Sequence, residues 1–170
     1  MLDEFVDELT KSITEVATGR SYPTRVSPVT VGDLNAAATN WRFDWFQELT
    51  TGEVYKLTAP KLGRLIHGLI SLTCGSSFVV VNLVESHPEN IGRGKKYNGV
   101  AANLIAFACQ LAFEKGYEGA VSFDAKSELI AHYERTLGAK QVGRSQRMVM
   151  DRAASLRLVE QYFGGKHGKN

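Results

Sequence analysis

Cysteine is scarce, with only Cys74 and Cys109 in 170 residues. Two thiols do not make a disulfide framework, and they suit a reducing compartment. Cys109 falls inside an apolar helical pattern and reads as a small core residue. No apolar run approaches the roughly 20 residues that a membrane span needs. The opening residues Met1-Leu2-Asp3-Glu4-Phe5 lack the basic start and apolar middle of a signal peptide, so the expected location is cytoplasmic with no membrane partner. The four histidines (His67, His87, His132 and His167) stand at no zinc-type spacing with one another or with a cysteine, so no metal is expected. An excess of one charge is missing too. The formal net charge is +2, which gives none of the broad basic field of a dedicated nucleic-acid binder and argues against that partner. One local cluster, Arg93, Lys95 and Lys96, needs a local explanation.

What is present is enough chain for one domain with a full core. The apolar fraction is 44% and the charged fraction 22%, both ordinary for a globular protein. Leu2, Phe5, Val6, Leu9, Ile13, Val16 and Ala17 recur at helical spacing up to Gly19, which predicts an amphipathic helix over residues 1–20, packed on the domain or serving a homodimer contact. The main domain is expected over 21–163. Tyr22–Val31, with two prolines, reads as an edge strand or extended arm. Asp33 is the expected cap of a short helix through Ala38. The aromatic stretch Trp41–Phe46 fits strand or helix. Glu53–Thr58 and Leu65–Thr73 read as strands. Within Ser77–Ser86 the run Phe78-Val-Val-Val-Asn-Leu-Val has the near-continuous apolar, β-branched character of a strand buried on both faces. A long helix follows over Val100–Lys115, then a strand at Gly119–Ala125. Beyond it lie a helix capped by Ser127 and ending just before Gly138, a strand at Gln146–Met150 and a helix at Ala153–Phe163. The tail 164–170 is polar, glycine-rich and expected to be disordered. This order predicts an α/β domain with a mixed sheet flanked by helices, the long helix crossing between parallel strands.

Chemistry concentrates where the buried strand gives way to the Gly- and Lys-rich loop His87–Gly99 and the long helix begins. A helix N-terminus presents unpaired N–H groups and partial positive charge, which suit phosphate oxygens. Gly99 and Ala101 let an anion approach the amides closely. Lys95 and Lys96 add point charges suited to a diphosphate. The loop is neither a P-loop nor Gly-x-Gly-x-x-Gly, because Tyr97 occupies the third glycine position of the latter. A merely solvated basic loop is the other reading of these residues.

The stretch Lys96-Tyr-Asn-Gly99-Val-Ala101-Ala-Asn-Leu104 resembles the pyrophosphate motif of the GNAT N-acetyltransferases, Arg/Gln-x-x-Gly-x-Gly/Ala. The continuation is similar as well: Phe113-Glu-Lys-Gly116-Tyr ends the helix, and Ile130-Ala-His-Tyr133-Glu-Arg-Thr-Leu-Gly138-Ala resembles that family's A-x-x-F-Y-x-K-L-G-F element. The likeness covers Leu65 to about Met150. It implies an acyl-CoA, most simply acetyl-CoA, as cosubstrate. Its pantetheine arm would pair with backbone near Leu83, Val84 and Glu85, and its diphosphate would lie on Gly94, Lys95, Lys96, Tyr97, Asn98, Gly99, Val100 and Ala101. It implies direct transfer to an amine whose identity the sequence does not disclose, in a pocket between Trp41–Phe46 and the loops near Ser71–Ser76. Glu85 is the candidate base, taken to alternate with Val79, Val81 and Leu83 on one strand face, and Tyr133 the candidate acid. Two departures stand out. Tyr133 lies five residues before Gly138 where the family has four, and Asp124, Lys126 and Ser127 stand where many members have an asparagine. They motivate the alternative of a non-catalytic acyl-CoA-binding module. A nucleic-acid-binding domain using Arg93–Lys96 is a third reading.

Overall fold

The computed structural model describes residues 1–2 and 12–167, with side chains described as far as Phe163. In chain order the elements are β1 (Ile13–Glu15), β2 (Ser21–Tyr22), β3 (Arg25–Pro28), α1 (Val31–Ala36), α2 (Trp45–Thr51), β4 (Glu53–Thr58), β5 (Ile66–Cys74), β6 (Val79–Ser86), β7 (Tyr97–Asn98), α3 (Val100–Glu114), β8 (Val121–Asp124), α4 (Ile130–Leu137), β9 (Lys140–Gln141), β10 (Arg147–Met150) and α5 (Arg152–His167). Seven strands form the main sheet in the order β3-β4-β5-β6-β8-β10-β9. Every neighbouring pair is antiparallel except β6 with β8, which is parallel and joined by the α3 crossover. This is the expected mixed α/β sheet.

The two sheet faces carry different cores. The larger includes Val79, Val81 and Val84 of β6, Ala101, Leu104, Ile105 and Ala108 of α3, and Leu158 of α5. The smaller holds Val29, Leu34, Trp45, Val54, Ile66 and Leu69 under α1 and α2, with Leu83 packed against it. Gly68 lets α3 lie close on β5: a Cβ there would stand 2.6 Å from Val100 Cγ1 and 3.0 Å from Leu104 Cδ1.

Several local expectations change. The helix predicted over 1–20 is not continuous. Ile13–Glu15 is a strand and Val16–Thr18 a turn, while the expected helical residues Phe5, Val6 and Leu9 lie outside the described residues. β1 owes its form to pairing: it adds to β2 on one side and β7 on the other, and these cross-strand bonds outweigh the helical spacing. The cap of α1 is Thr30, which accepts from Asp33 N, while the Asp33 side chain accepts in return from Thr30 N to complete a capping box. Trp41–Asp44 is a loop, and Trp45 and Phe46 open α2, which Asp44 caps. The last helix runs on through His167, so residues 164–167 of the expected disordered tail are helical.

Candidate active site

β6 and β8 pair only as far as Val79↔Val121, Val80↔Ser122 and Val81↔Phe123. Beyond that point β6 continues to Ser86 with β5 on one side only, so the two central strands fork. The backbone parity along this stretch is fixed by β5. His87 N donates to His67 O at 2.8 Å, and the register Leu69↔Glu85 and Ser71↔Leu83 keeps the same phase. Amide and carbonyl groups alternate sides along a strand. Leu83 and Glu85 therefore direct theirs to β5, whereas Val84 and Ser86 direct theirs into the fork. Of the three backbone positions expected to line it, Val84 alone does so.

A β-bulge is the reason. The β5–β6 register shifts between Ser71 and Leu72, leaving Asn82 as an extra residue on β6. An extra residue reverses the side-chain faces downstream of it. Val84 therefore joins Val79 and Val81 in the α3-side core, and Glu85 points to the α1–α2 side. This corrects the expectation that Glu85 shares a face with Val79 and Val81.

Glu85 is buried, at 4% exposure. Its carboxylate accepts from Arg42 N at 2.6 Å, Phe43 N at 3.1 Å and Trp45 Nε1 at 2.8 Å. A carboxylate has about four lone-pair sites, and three donors already converge on this one. The expected aromatic wall, Trp41–Phe46, is thus tied to β6 by Glu85 itself. The loops near Ser71–Ser76 divide: Ser71 pairs with Leu83, but Cys74 pairs with Val79, about 20 Å along β6 from Glu85 at ~3.3 Å per residue. On the same face as Glu85 a cavity of about 960 Å³ opens, lined by Arg25, Asp33, Lys56, Arg64 and Ile66 among others. Lys56, Leu69 and Glu85 lie in one row across β4, β5 and β6.

Tyr133 is buried, at 1% exposure, with Leu137 one turn on sharing its face. The helix is unbroken to Gly138, whose φ of 68° ends it. The five-residue spacing therefore leaves Tyr133 facing inward. Its ring meets Phe123 edge-on at 5.6 Å, and Phe123 is the last β8 residue paired to β6. Tyr133 thus packs on the side chain of the residue where the β6–β8 pairing ends.

The far end of the fork leads to the start of α3. Gly99 is its N-cap with φ 94°, a conformation glycine adopts without strain. The first helical bond is Asn103 N to Gly99 O at 3.0 Å. The amides of Val100, Ala101 and Ala102 precede it and have no intrahelical acceptor. The preceding loop is stitched in place: Lys96 N donates to Glu89 O, Val16 N donates to Lys96 O, and β7 pairs with β1. Lys96 Nζ lies 3.7 Å from Glu89. Gly94 is exposed, and Lys95 and Tyr97 are half-buried. Asn103 ties this corner together, donating to Gly99 O and Ser12 O and accepting from Thr24 Oγ1. Its role was hidden, because an asparagine inside an apolar helix carries no sequence signal for what its amide will meet.

A second feature missed from sequence is His67, at 1% exposure on β5. Burial, aided by nearby His87, pushes its pKa down to about 4. Its Nδ1 lies 3.3 Å from Asn90 Nδ2, and its ring stacks edge-on with Tyr97 at 5.2 Å. His67 Nε2, Asn90 Oδ1 and Asn98 Oδ1 are buried without a hydrogen-bond partner among the described residues. The lowered pKa sets a direction. The unfolded chain binds a proton to His67 near pH 6.5 and the folded one only near pH 4, so stability falls as pH drops through that window. Unfolding in urea is expected to show a loss of about 1–2 kcal/mol between pH 7 and pH 5, and His67→Gln is expected to flatten that slope.

No protein-family model matches the sequence, and no curated protein matches it significantly. Solved structures do share its fold. The AtaTR complex bound with AcCoA aligns with a TM-score of 0.54 at 16% identity, covering 79% of this chain and 97% of that one. The KacTA–DNA complex aligns at 0.54 and 13%, covering 79% and 97%. AtaT complexed with acetyl-methionyl-tRNAfMet aligns at 0.53 and 15%, covering 79% and 98%. Among the described residues no cluster of His, Cys, Asp or Glu is arranged to hold a metal, and no helix is long and apolar enough to cross a membrane.

Proposed function

We propose that this chain, which has the fold of the GNAT acetyltransferases, is an N-acyltransferase that takes an acyl group, most simply acetyl, from acyl-CoA. The observation that carries the reading is the half-paired edge of β6. Val84 and Ser86 offer backbone groups into a fork, and the fork leads to a helix start capped by left-handed Gly99. Pantetheine is an extended chain bearing amides and suits the first feature. A diphosphate suits the second. Val84 would hold the pantetheine arm, and the segment Gly94–Ala101, with Ala102, the diphosphate.

In the reaction an amine nitrogen attacks the thioester carbon, the C–S bond breaks, the nitrogen loses a proton to solvent water and the departing thiolate gains one. We assign the second proton to Tyr133, which packs on Phe123 where the β6–β8 pairing ends. Glu85, expected as the base, acts instead as a positioning residue, because its lone pairs hold the Arg42–Trp45 segment. The acceptor enters from the α1–α2 side, where Glu85 points and the cavity opens.

The engagement of Glu85 and the burial of Tyr133 also favour a second reading, a non-catalytic acyl-CoA-binding module. Calorimetric titration with acetyl-CoA and CoA, followed by turnover with a panel of amines, separates the two. The panel includes methionyl-tRNA, since AtaT is known with acetyl-methionyl-tRNAfMet. Micromolar binding that Gly99→Glu weakens at least tenfold, about 1.4 kcal/mol, is expected. Binding without turnover of any acceptor supports the module. A folded wild-type protein that binds neither ligand sinks both.

A further inference from the structure

The fork holds a chain already. Leu2 forms a parallel bridge with Ala125: its N–H donates to Asp124 O at 2.6 Å, and Lys126 N donates to Leu2 O at 2.9 Å. On the opposite lip the Met1 nitrogen donates to Asn82 O at 2.8 Å. An extended backbone therefore bridges β6 and β8 where their own pairing has stopped. The Leu2 side chain is 3% exposed and belongs to the core that contains Val84, Phe123 and Tyr133. Residues 12–15 lie beside the start of α3. Ser12 O accepts from Asn103, and Thr14 and Glu15 pair with Asn98 and Tyr97 beside the start of α3.

We propose that the fork is a slot for an extended chain, and that Met1 and Leu2 are its internal occupant, an autoinhibitory contact that competes with acyl-CoA. The proposal rests on the acyl-CoA reading of the site. Strand addition supplies the chemistry: a sheet edge accepts any extended backbone whose amides match its spacing. Adjacent strands lie about 4.8 Å apart, so the gap between the two lips admits one chain. Asn82 O and Lys126 N are taken by Met1 and Leu2, and an arm of pantetheine entering the same gap must displace them. The cost appears as reduced affinity, in proportion to the fraction of molecules whose slot is open. A strand seated about nine-tenths of the time raises the apparent Kd about tenfold.

Two full-length variants test this. Leu2→Glu places a charge in the buried position, and Leu2→Pro keeps an apolar residue but removes the N–H that Asp124 O accepts. Circular dichroism checks that each is folded. Hydrogen exchange reads the Lys126 amide without any ligand, and calorimetry reads CoA affinity. The expected result is faster exchange at Lys126 in both variants, together with CoA binding about tenfold tighter than wild type. Unchanged exchange at Lys126 would overturn the proposal, since the strand would then not be seated. Faster exchange with equal or weaker CoA binding would also overturn it, leaving the strand as core packing alone. Failure of wild type and both variants to bind CoA would instead remove the acyl-CoA reading, and the competition with it.

Discussion

Glu85→Gln is expected to cost about 3 kcal/mol of stability, because hydrogen bonds to a charged acceptor are worth roughly 1.5–3 kcal/mol each. Three N–H groups converge on this carboxylate, and two of them share Oε1. An amide keeps one acceptor oxygen and turns the other position into an NH₂ donor facing donors. At least one N–H is then stranded beside Trp45, which is 2% exposed. The variant has a built-in reporter. Trp41 and Trp45 are the chain's two tryptophans; Trp45 is bound by Glu85 directly, and Trp41 immediately precedes the segment it holds. Their emission is expected to shift to the red under native conditions, and the urea midpoint to fall. A midpoint within 1 kcal/mol of wild type, with unchanged emission, would show that the clamp is not what secures the wall. The variant also separates two roles for the carboxylate. A base acting on substrate would lose turnover with little change in emission, whereas a positioning residue loses both together.

The sequence made the framework legible where one physical rule governed a segment. β6 announced itself by a near-continuous β-branched run, and α3 by an apolar stripe after a glycine. Both lie within two residues of where they were expected, because burial on two faces and helix capping are local in sequence. The face of Glu85 was not legible. It depends on a bulge at Asn82, which is a property of the β5–β6 register and leaves no mark in the β6 sequence. The N-terminal region failed for a related reason. Ile13 and Val16 keep helical spacing, yet Ile13–Glu15 is a strand because β2 and β7 offer it bonds on both sides. Tyr133 was legible as a candidate only, from its place before Gly138. Its inward rotation follows from an uninterrupted helix, which only the structure supplies. Asn103 and His67 were invisible in the same sense, since a polar residue in an apolar pattern tells nothing of the groups it will face.

Close approach of α3 to β5 underlies the second large effect. Gly68→Val is expected to destabilise the protein by about 3 kcal/mol, at the upper end of what overpacking a core costs. A Cβ at this position would meet Val100 Cγ1 at 2.6 Å, Leu104 Cδ1 at 3.0 Å and the backbone oxygen of Glu85 at 3.2 Å. Val100 and Leu104 are both buried, at 3% and 0% exposure, so neither can swing out to make room. Glu85 O belongs to β6 and cannot yield without disturbing the pairing Leu69↔Glu85. The remaining way to relieve the clash is to lift the first turn of α3 from the sheet, and that turn carries the amides assigned to the diphosphate. Stability and CoA affinity are therefore expected to fall together, the affinity by tenfold or more. Gly94 is the control for stability alone, because it lies in the loop before α3 and a Cβ there would meet nothing within 4 Å. Gly94→Ala should leave stability unchanged; parallel urea unfolding of the two variants, with CoA titration of Gly68→Val against wild type, checks this. Loss of stability in Gly68→Val without loss of CoA affinity would mean that the start of α3 does not hold the ligand, whatever its role in the fold.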